Sequence, residues 1–228
     1  MAKTSNHSTG DDNLVAIQSS LSKTEHFIEE NQKSISIIIA AIVFIVVGYL
    51  AYQKFYVAPQ EEEAQSKIFL AQNYFAMDSF KLALKGDGNF VDGFEDIADD
   101  YGMTNVGSLA NYYAGLCYLQ LGDYDSAIDY LKKFDANDEM ITTMALGAIG
   151  DAYVQKDDVE EAVSYFKKAI ERKPNEFSTP LYLFKLGLAY ENLGKKDDAR
   201  EAYEKIKTEY PKSNEARKID KYLARLNF

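Results

Sequence analysis

The chain has 228 residues, of which 46% are hydrophobic and 27% charged, enough for one sizeable folded domain and a small additional segment. Its net charge of −11 argues against nucleic acid as a partner, because phosphate binding needs clustered Lys and Arg. A single cysteine, Cys117, excludes a disulfide within the chain, and both histidines, His7 and His26, lie in the first 33 residues. Most zinc sites and catalytic triads are therefore excluded from the remainder, and we expect no catalytic residue, metal or cofactor.

Residues 1–33 form a polar tail ahead of a long apolar run. Leu14, Ile17, Leu21 and Ile28 recur at helical spacing, and the segment 22–25, Ser-Lys-Thr-Glu, has the form of a capping box. The pattern allows two interpretations. One is a short juxtamembrane helix that lies on lipid headgroups or on a partner, and the other is a partly ordered spacer.

Residues 34–57 are predicted to form one transmembrane helix that contacts the lipid bilayer. The stretch 35–52, "ISIIIAAIVFIVVGYLAY", contains no charged residue. A helix that continues to Val57 has a length that matches a hydrocarbon core about 30 Å thick. Tyrosines near its end are typical of the membrane interface. The apolar run is longer than that of a signal peptide and follows a long polar tail, so we predict an anchor that is not cleaved.

The charges beside this segment do not determine its orientation. Lys23 and Lys33 precede the apolar run, and Lys54 and Lys67 follow it. Two lysines on each side are a tie under the positive-inside rule. The residues alone therefore leave both orientations open.

Residues 58–107 are predicted to form a membrane-proximal helix and a degenerate repeat. A helix is expected from Gln60 to about Leu84, and the segment 92–101, "DGFEDIADDY", aligns with the later segment 201–210, "EAYEKIKTEY". Between them, "KGDGN" (85–89) lacks the alternating oxygen ligands of a calcium loop, so it is interpreted as a turn.

Residues 108–212 contain three repeats, which align on alanines spaced 35 and 37 residues apart. Each alanine is preceded by a glycine at −12 and a tyrosine at −9, and followed by a large residue at +4. The positions are Ala127, Ala162 and Ala199; Gly115, Gly150 and Gly187; Tyr118, Tyr153 and Tyr190; Leu131, Phe166 and Tyr203. The glycine allows close helix approach and the large residues fill the space between helices. Gly122 and Gly194 are expected in the tight turns with positive φ. The pattern resembles the tetratricopeptide repeat, a helix–turn–helix of about 34 residues.

Residues 213–228 are predicted to form an amphipathic capping helix. Ala216, Ile219, Tyr222 and Leu223 share its apolar face, and a stack of repeats needs such a terminal element. The predicted fold is therefore all-α: a single N-terminal transmembrane helix followed by a tetratricopeptide-repeat superhelix with three clear repeats, one degenerate repeat and a C-terminal cap.

The resemblance also implies a partner groove lined by five positions of the first helix of each repeat. Carried over residue by residue, the groove residues are Leu109, Tyr112, Leu116, Met144, Gly147, Asp151, Leu181, Phe184, Leu188, Glu191 and Asn192, with Leu119, Gln120, Val154 and Gln155 at the remaining positions. None is Lys or Arg, so a basic clamp for a peptide carboxylate is not expected. The set suits an apolar or amphipathic segment held by Tyr112 and Phe184. The alternative is that many of these side chains only pack against the next hairpin.

Anchor and repeats together resemble the YfgM-like proteins of bacterial inner membranes, in the version found in Bacteroidota. The resemblance rests on "LSKTEHFIEENQK" before the anchor and on "NYYAGLCYLQLGDYDSAIDYLKKF" and "EFSTPLYLFKLGLAYENLGK" in the repeats. It implies a cytoplasmic N-terminus, a periplasmic repeat domain and no enzymatic activity. It also implies association with the Sec translocon and a PpiD-like anchored chaperone, and contact with emerging secretory polypeptides.

Other functions remain open from the residues alone. A receptor that faces the cytosol is compatible with the equal numbers of lysines on the two sides of the apolar segment. An assembly scaffold for an envelope complex is compatible with the predicted groove. An enzyme is disfavoured: paired acids such as Asp99 and Asp100 lie on one exposed helix and do not face each other across a cleft.

Overall fold

The computed structural model describes residues 30–135 and 138–226. Within these ranges the chain forms helices and turns without a β-strand, and it divides into two units at Tyr56 and Val57. The all-α prediction is therefore confirmed. The juxtamembrane helix predicted in the N-terminal tail falls outside the described residues.

The first unit contains helix α1 (Gln32–Tyr52), and a π-helical segment (Gln53–Val57) follows. In the described part of the chain, α1 lies in the one helical run that is long and apolar enough to cross a membrane, as judged by length and composition. None of its side chains is buried, and Phe44 is 80% exposed. A helix that is apolar on every face has the surface that lipid would cover.

The second unit is a series of paired helices. In chain order they are α2 (Ala58–Ala76), α3 (Phe80–Lys85), α4 (Phe94–Asp100), α5 (Asn105–Leu121), α6 (Tyr124–Lys133), α7 (Glu139–Gln155), α8 (Val159–Arg172), α9 (Thr179–Asn192), α10 (Lys196–Glu209) and α11 (Ala216–Arg225). The three predicted repeats are the hairpins α5–α6, α7–α8 and α9–α10, and each packs on the next. Helix α11 packs on α10 with Ile219 1% exposed, which confirms the predicted cap.

The expected long helix from Gln60 to about Leu84 is instead two helices. Asp78 adopts a φ of 55°, in the left-handed region, and the N–H of Ser79 donates to the carbonyl of Tyr74. The chain therefore turns after α2, and α3 packs against it. Phe94 of the degenerate repeat is 0% exposed, with its ring 6.3 Å from that of Phe75.

In each hairpin the repeated spacing between the glycine and the large residue reflects direct contact between them. A Cβ atom at Gly115 would lie 2.5 Å from Cγ of Leu131, and one at Gly187 would lie 2.2 Å from Cε1 of Tyr203. Real Cβ atoms do not come so close to other heavy atoms, so only glycine fits at these crossings. The predicted role of the glycines is confirmed.

The turns inside the hairpins use one backbone conformation at equivalent positions. Gly122 and Gly194 have φ values of 82° and 71°, as predicted. The middle hairpin has Asp157 at this position, and it adopts the same left-handed conformation with φ of 63°. The middle turn therefore places an aspartate where glycine is favoured.

Polar side chains at a repeated position link successive hairpins. The position follows the large residue by one, and its side chain reaches the tyrosine of the next hairpin. Tyr118 donates its hydroxyl hydrogen to Glu95, and Lys132 Nζ donates to the Tyr153 hydroxyl at 3.5 Å. Lys167 Nζ lies 5.7 Å from the ring centre of Tyr190. The stack is thus held by neighbour-to-neighbour contacts that recur with the repeat period.

Candidate partner-binding surface

A cleft with a volume of about 270 Å³ lies between the second and third repeats, along α7 and α9. Its mouth is formed by Asp151 and Val154 of α7 and by Lys185, Leu188 and Asn192 of α9. These residues are spaced by three or four along each helix, so each set lies on one face. We call this feature the α7–α9 cleft. Val154 and Leu188 are 39% and 37% exposed, so two aliphatic side chains are accessible at its mouth.

An ion pair crosses the α7–α9 cleft. Lys185 Nζ donates to the two carboxylate oxygens of Asp151 at 2.7 and 2.6 Å. Burial raises the pKa of the Asp151 carboxyl above its ordinary value, although the positive charge of Lys185 opposes that shift. The cleft therefore combines aliphatic surface with a paired, partly desolvated charge.

Sequence reasoning missed Lys185, because its repeat position is outside the five groove positions of the family. The available signal was its spacing: Lys185 precedes Leu188 by three residues on the same helix. Phe177 was also missed. It is 78% exposed in the loop before α9, where the side-chain oxygen of Asn175 accepts from the N–H groups of Phe177 and Ser178 at 2.9 and 2.7 Å. The loop is therefore ordered around an exposed aromatic ring.

The N-terminal half of α7 also presents apolar side chains. Met140 and Met144 are 64% and 41% exposed and lie one helical turn apart. Leu181, the equivalent of Met144 in α9, is partly buried and borders a second cleft of about 290 Å³ with Phe177. Methionine side chains are flexible and polarizable, so they can adapt to different apolar partners.

The structure places Tyr112 in the core, where it does not offer its ring to a partner. It is 6% exposed, and its ring centre lies 5.5 Å from that of Tyr113 and 5.7 Å from that of Phe134. Leu109 and Leu116 are partly buried against the same cluster. In the first repeat, then, Tyr112, Leu109 and Leu116 pack largely within the protein.

The C-terminal helix covers two predicted groove residues of the third repeat. Phe184 is 8% exposed, with the ring of Tyr222 at 4.8 Å and 89° and Lys218 Nζ 4.1 Å from its ring centre. Glu191 accepts hydrogen bonds from the Tyr203 hydroxyl and from Arg225, both at 2.6 Å. Neither Phe184 nor Glu191 is therefore open to a partner in this structure.

Gly147 is covered by a side chain of the next hairpin, because a Cβ atom there would lie 2.0 Å from Cε1 of Tyr182. Of the predicted groove residues, the structure brings Asp151, Val154, Leu188 and Asn192 together in the α7–α9 cleft, and it exposes Met144 beyond that cleft. Their role in binding stays a prediction.

Cys117 packs as an apolar side chain in the core. It is 0% exposed, and burial raises the pKa of its thiol to about 12. A reactive cysteine needs a lowered pKa and access to solvent, and Cys117 has neither.

Successive hairpins with the same contacts at the same positions define a helical-repeat protein, a fold that typically serves as a non-catalytic scaffold for binding other proteins. A family model described as a tetratricopeptide repeat-like domain matches residues 25–226, and the chain belongs to this family. Its structure is similar to the crystal structure of the MamA protein, with a TM-score of 0.54 and 21% sequence identity over 72% of this chain and 90% of MamA. At that identity the similarity shows the fold alone. None of the curated proteins compared with the chain matches it by sequence.

Proposed function

We propose that this protein is a membrane-anchored adaptor or co-chaperone that holds an apolar or amphipathic segment of a partner protein in the α7–α9 cleft. The observation that carries the proposal is the exposure of Val154 and Leu188 beside the Asp151–Lys185 ion pair. Aliphatic groups would cover an apolar face of the partner, and the charged pair would meet its polar edge.

The proposed setting is the bacterial inner membrane. Residues 34–57 would span the bilayer, with the N-terminus in the cytoplasm and the repeats in the periplasm. Support comes from the long apolar helix, from membership of the repeat family and from the resemblance to YfgM-like proteins. By that resemblance the partners would be the Sec translocon, a PpiD-like anchored chaperone and emerging secretory polypeptides.

Emerging polypeptides are a suitable partner class for this surface. They present varied apolar segments, and the exposed Met140 and Met144 can adapt their shape to such segments. Phe177 adds an aromatic group that its loop already orders, which reduces the entropy lost on binding.

The orientation is tested by adding protease to spheroplasts of a native or closely related host. We expect digestion of the repeat domain and protection of the N-terminal tail. Inverted inner-membrane vesicles serve as the control and should give the opposite pattern. A repeat domain that is digested only in inverted vesicles would instead support a receptor facing the cytosol.

The binding surface is tested by photocrosslinking from position 154 or 188 to a secretory chain arrested in the translocon. The matched control is a crosslinker at Leu121, which is 39% exposed and lies outside the cleft. We expect products with the arrested chain or with translocon subunits from positions 154 and 188 only. Equal products from position 121, or none from the cleft, would count against this surface.

A further inference from the structure

The third hairpin lacks an aromatic ring that the first two possess. Tyr130 stacks on Tyr118 with ring centres 5.4 Å apart and an interplanar angle of 27°. Tyr165 stacks on Tyr153 at the same 5.4 Å and 25°. In each case the stacking residue follows its partner by twelve positions. Twelve positions after Tyr190 the sequence has Ala202, so the equivalent ring is missing.

A cavity of about 350 Å³ lies where that ring would be. It is bounded by α8, α9 and α10, with Tyr190 and Ala202 in its wall and Ile170, Leu183 and Leu186 as apolar lining. The corresponding cleft one hairpin earlier has Leu146 and Ile149 in the positions of Leu183 and Leu186, and Tyr165 in the position of Ala202. That earlier cleft has a volume of about 290 Å³ with the Tyr165 ring in its wall. The cavity at Ala202 is larger and is lined directly by Tyr190, whereas the equivalent Tyr153 does not line the earlier cleft.

The lysines around the cavity favour an aromatic ring over an aliphatic group as its occupant. Lys132 Nζ and Lys168 Nζ lie 5.9 and 4.3 Å from the centre of the Tyr165 ring. The third hairpin keeps the equivalent lysines, Lys167 and Lys205, and both border the cavity. A cation above a ring face is attracted to the negative charge of the π-system. The two lysines that would flank an aromatic ring are thus present around Ala202.

We propose that this cavity, the Ala202 socket, receives a tyrosine or phenylalanine side chain of a partner protein. The two lysines would flank the inserted ring, which would stack on Tyr190 as Tyr165 stacks on Tyr153. Three acids, Glu171, Asp198 and Glu201, also border the socket. They favour a segment that carries Lys or Arg next to its aromatic residue.

The Ala202 socket is separate from the α7–α9 cleft. The cleft uses Lys185, Leu188 and Asn192 of α9, whereas the socket uses Leu183, Leu186 and Tyr190 of the same helix. Binding in the socket therefore does not depend on the adaptor role proposed for the cleft, and each surface can be tested alone.

The test uses the full chain in lipid nanodiscs with ¹³C-labelled Ala, Ile and Leu methyl groups. The probes are two acetylated and amidated pentapeptides, Gly-Lys-Tyr-Lys-Gly and Gly-Lys-Leu-Lys-Gly. An inserted ring shifts the resonances of nearby methyl groups. We expect saturable shifts at Ala202, Ile170 and Leu186 with the tyrosine peptide, and binding weaker by about tenfold with the leucine peptide. Equal binding of the two peptides, or no saturable shift with either, would overturn the proposal.

Matched variants locate the binding. Ala202→Tyr should place the protein's own ring on Tyr190, raise the midpoint of thermal unfolding and abolish the shifts. Tyr165→Ala should extend the equivalent cleft to Tyr153 and create peptide-dependent shifts at Ala145 and Ile149, which line it. Lys205→Met changes an exposed side chain and should weaken binding by about threefold even if the larger substitutions disturb folding. Shifts that persist in Ala202→Tyr, or an unchanged affinity in Lys205→Met, would argue that the ring binds elsewhere.

Discussion

A Cβ atom at Gly150 would lie 2.5 Å from Cε1 of Phe166, so the phenylalanine ring packs directly on the backbone of α7. Phe166 is 1% exposed and belongs to the apolar core that the second and third hairpins share. The contact sets how closely the two helices of the middle hairpin approach each other.

Substitution of Gly150 should therefore destabilise the middle hairpin in proportion to side-chain size. We expect Gly150→Ala to lower the free energy of unfolding by about 1–3 kcal/mol and Gly150→Leu to prevent the hairpin from forming. Urea titration in mild detergent, followed by circular dichroism, measures the loss. In a Phe166→Leu background the additional cost of Gly150→Ala should be smaller. An identical cost in both backgrounds would show that the ring is not the obstacle.

The turn at Asp157 should be improved by glycine. Asp157 adopts a φ of 63°, whereas its equivalents in the neighbouring hairpins are glycines. Asp157→Gly should raise the free energy of unfolding by about 0.5–1 kcal/mol because it relieves the left-handed strain. The reverse substitution, Gly122→Asp, should cost a similar amount. The strain argument fails if both variants change stability in the same direction.

The sequence predicts the framework of this fold well because the framework depends on local spacing. Glycine, tyrosine and alanine recur at fixed offsets, and each offset corresponds to a contact within one hairpin. The break at Asp78 was not predictable in the same way, since the segment 60–84 has no proline or glycine to end a helix before Lys85. There the end of α2 depends on packing of α3 and α4 against it.

The candidate binding site was less predictable, because exposure depends on neighbouring hairpins. Phe184 and Glu191 occupy groove positions by repeat spacing, yet Tyr222, Lys218 and Arg225 of the C-terminal helix cover them. Repeat spacing places a residue on a helix face but does not show which distant side chain lies above it.

Because Phe184 is buried, its substitution should affect stability. The groove pattern of the sequence instead predicted an effect on partner binding. Phe184→Ala should lower the free energy of unfolding by about 3–5 kcal/mol, because it leaves a cavity beneath Tyr222. Leu188→Ala, on the exposed side of the same helix, should cost far less. Thermal unfolding of both variants distinguishes them. Comparable midpoints would mean that α11 does not depend on the Phe184 ring.

The ion pair in the cleft can be tested through the ionisation of Asp151. Lys185 lowers the pKa of Asp151 but does not overcome the increase caused by burial. Lys185→Met should therefore raise this pKa further, as measured by an NMR titration of the Asp151 carboxyl carbon. Lys156→Met provides a control, since Lys156 pairs with the exposed Asp125 and not with Asp151. An unchanged titration in Lys185→Met would mean that the pair is not formed in solution.

Stability should fall in alkaline solution. Burial raises the pKa of the Cys117 thiol from 9.0 to about 12, and that of the Tyr112 hydroxyl from 10.0 to about 12. Below pH 9 both groups are neutral in the folded and unfolded states. The unfolded chain loses the thiol proton from about pH 9 and the hydroxyl proton from about pH 10, whereas the folded chain keeps both to about pH 12. Within its own window each group lowers the free energy of unfolding by up to about 1.4 kcal/mol per pH unit.

Urea midpoints measured from pH 7 to pH 11 test this dependence. Cys117→Ala and Tyr112→Phe each remove one ionisable group and should make the alkaline decline shallower, whatever their effect at pH 7. A decline as steep as that of the unaltered protein in both variants would assign it to other groups.

The contacts of Glu95, Lys132 and Lys167 with the next hairpin also bear on how the protein responds to force. Each of these contacts joins adjacent hairpins only. A force that pulls a bound partner away from the N-terminal end of the chain would therefore act on the contacts one after another. We expect a stack built in this way to lengthen as one pair of hairpins separates at a time, and to shorten again when the force is removed. In the membrane-anchored role proposed above, such an extensible stack would let a partner move while it stays attached.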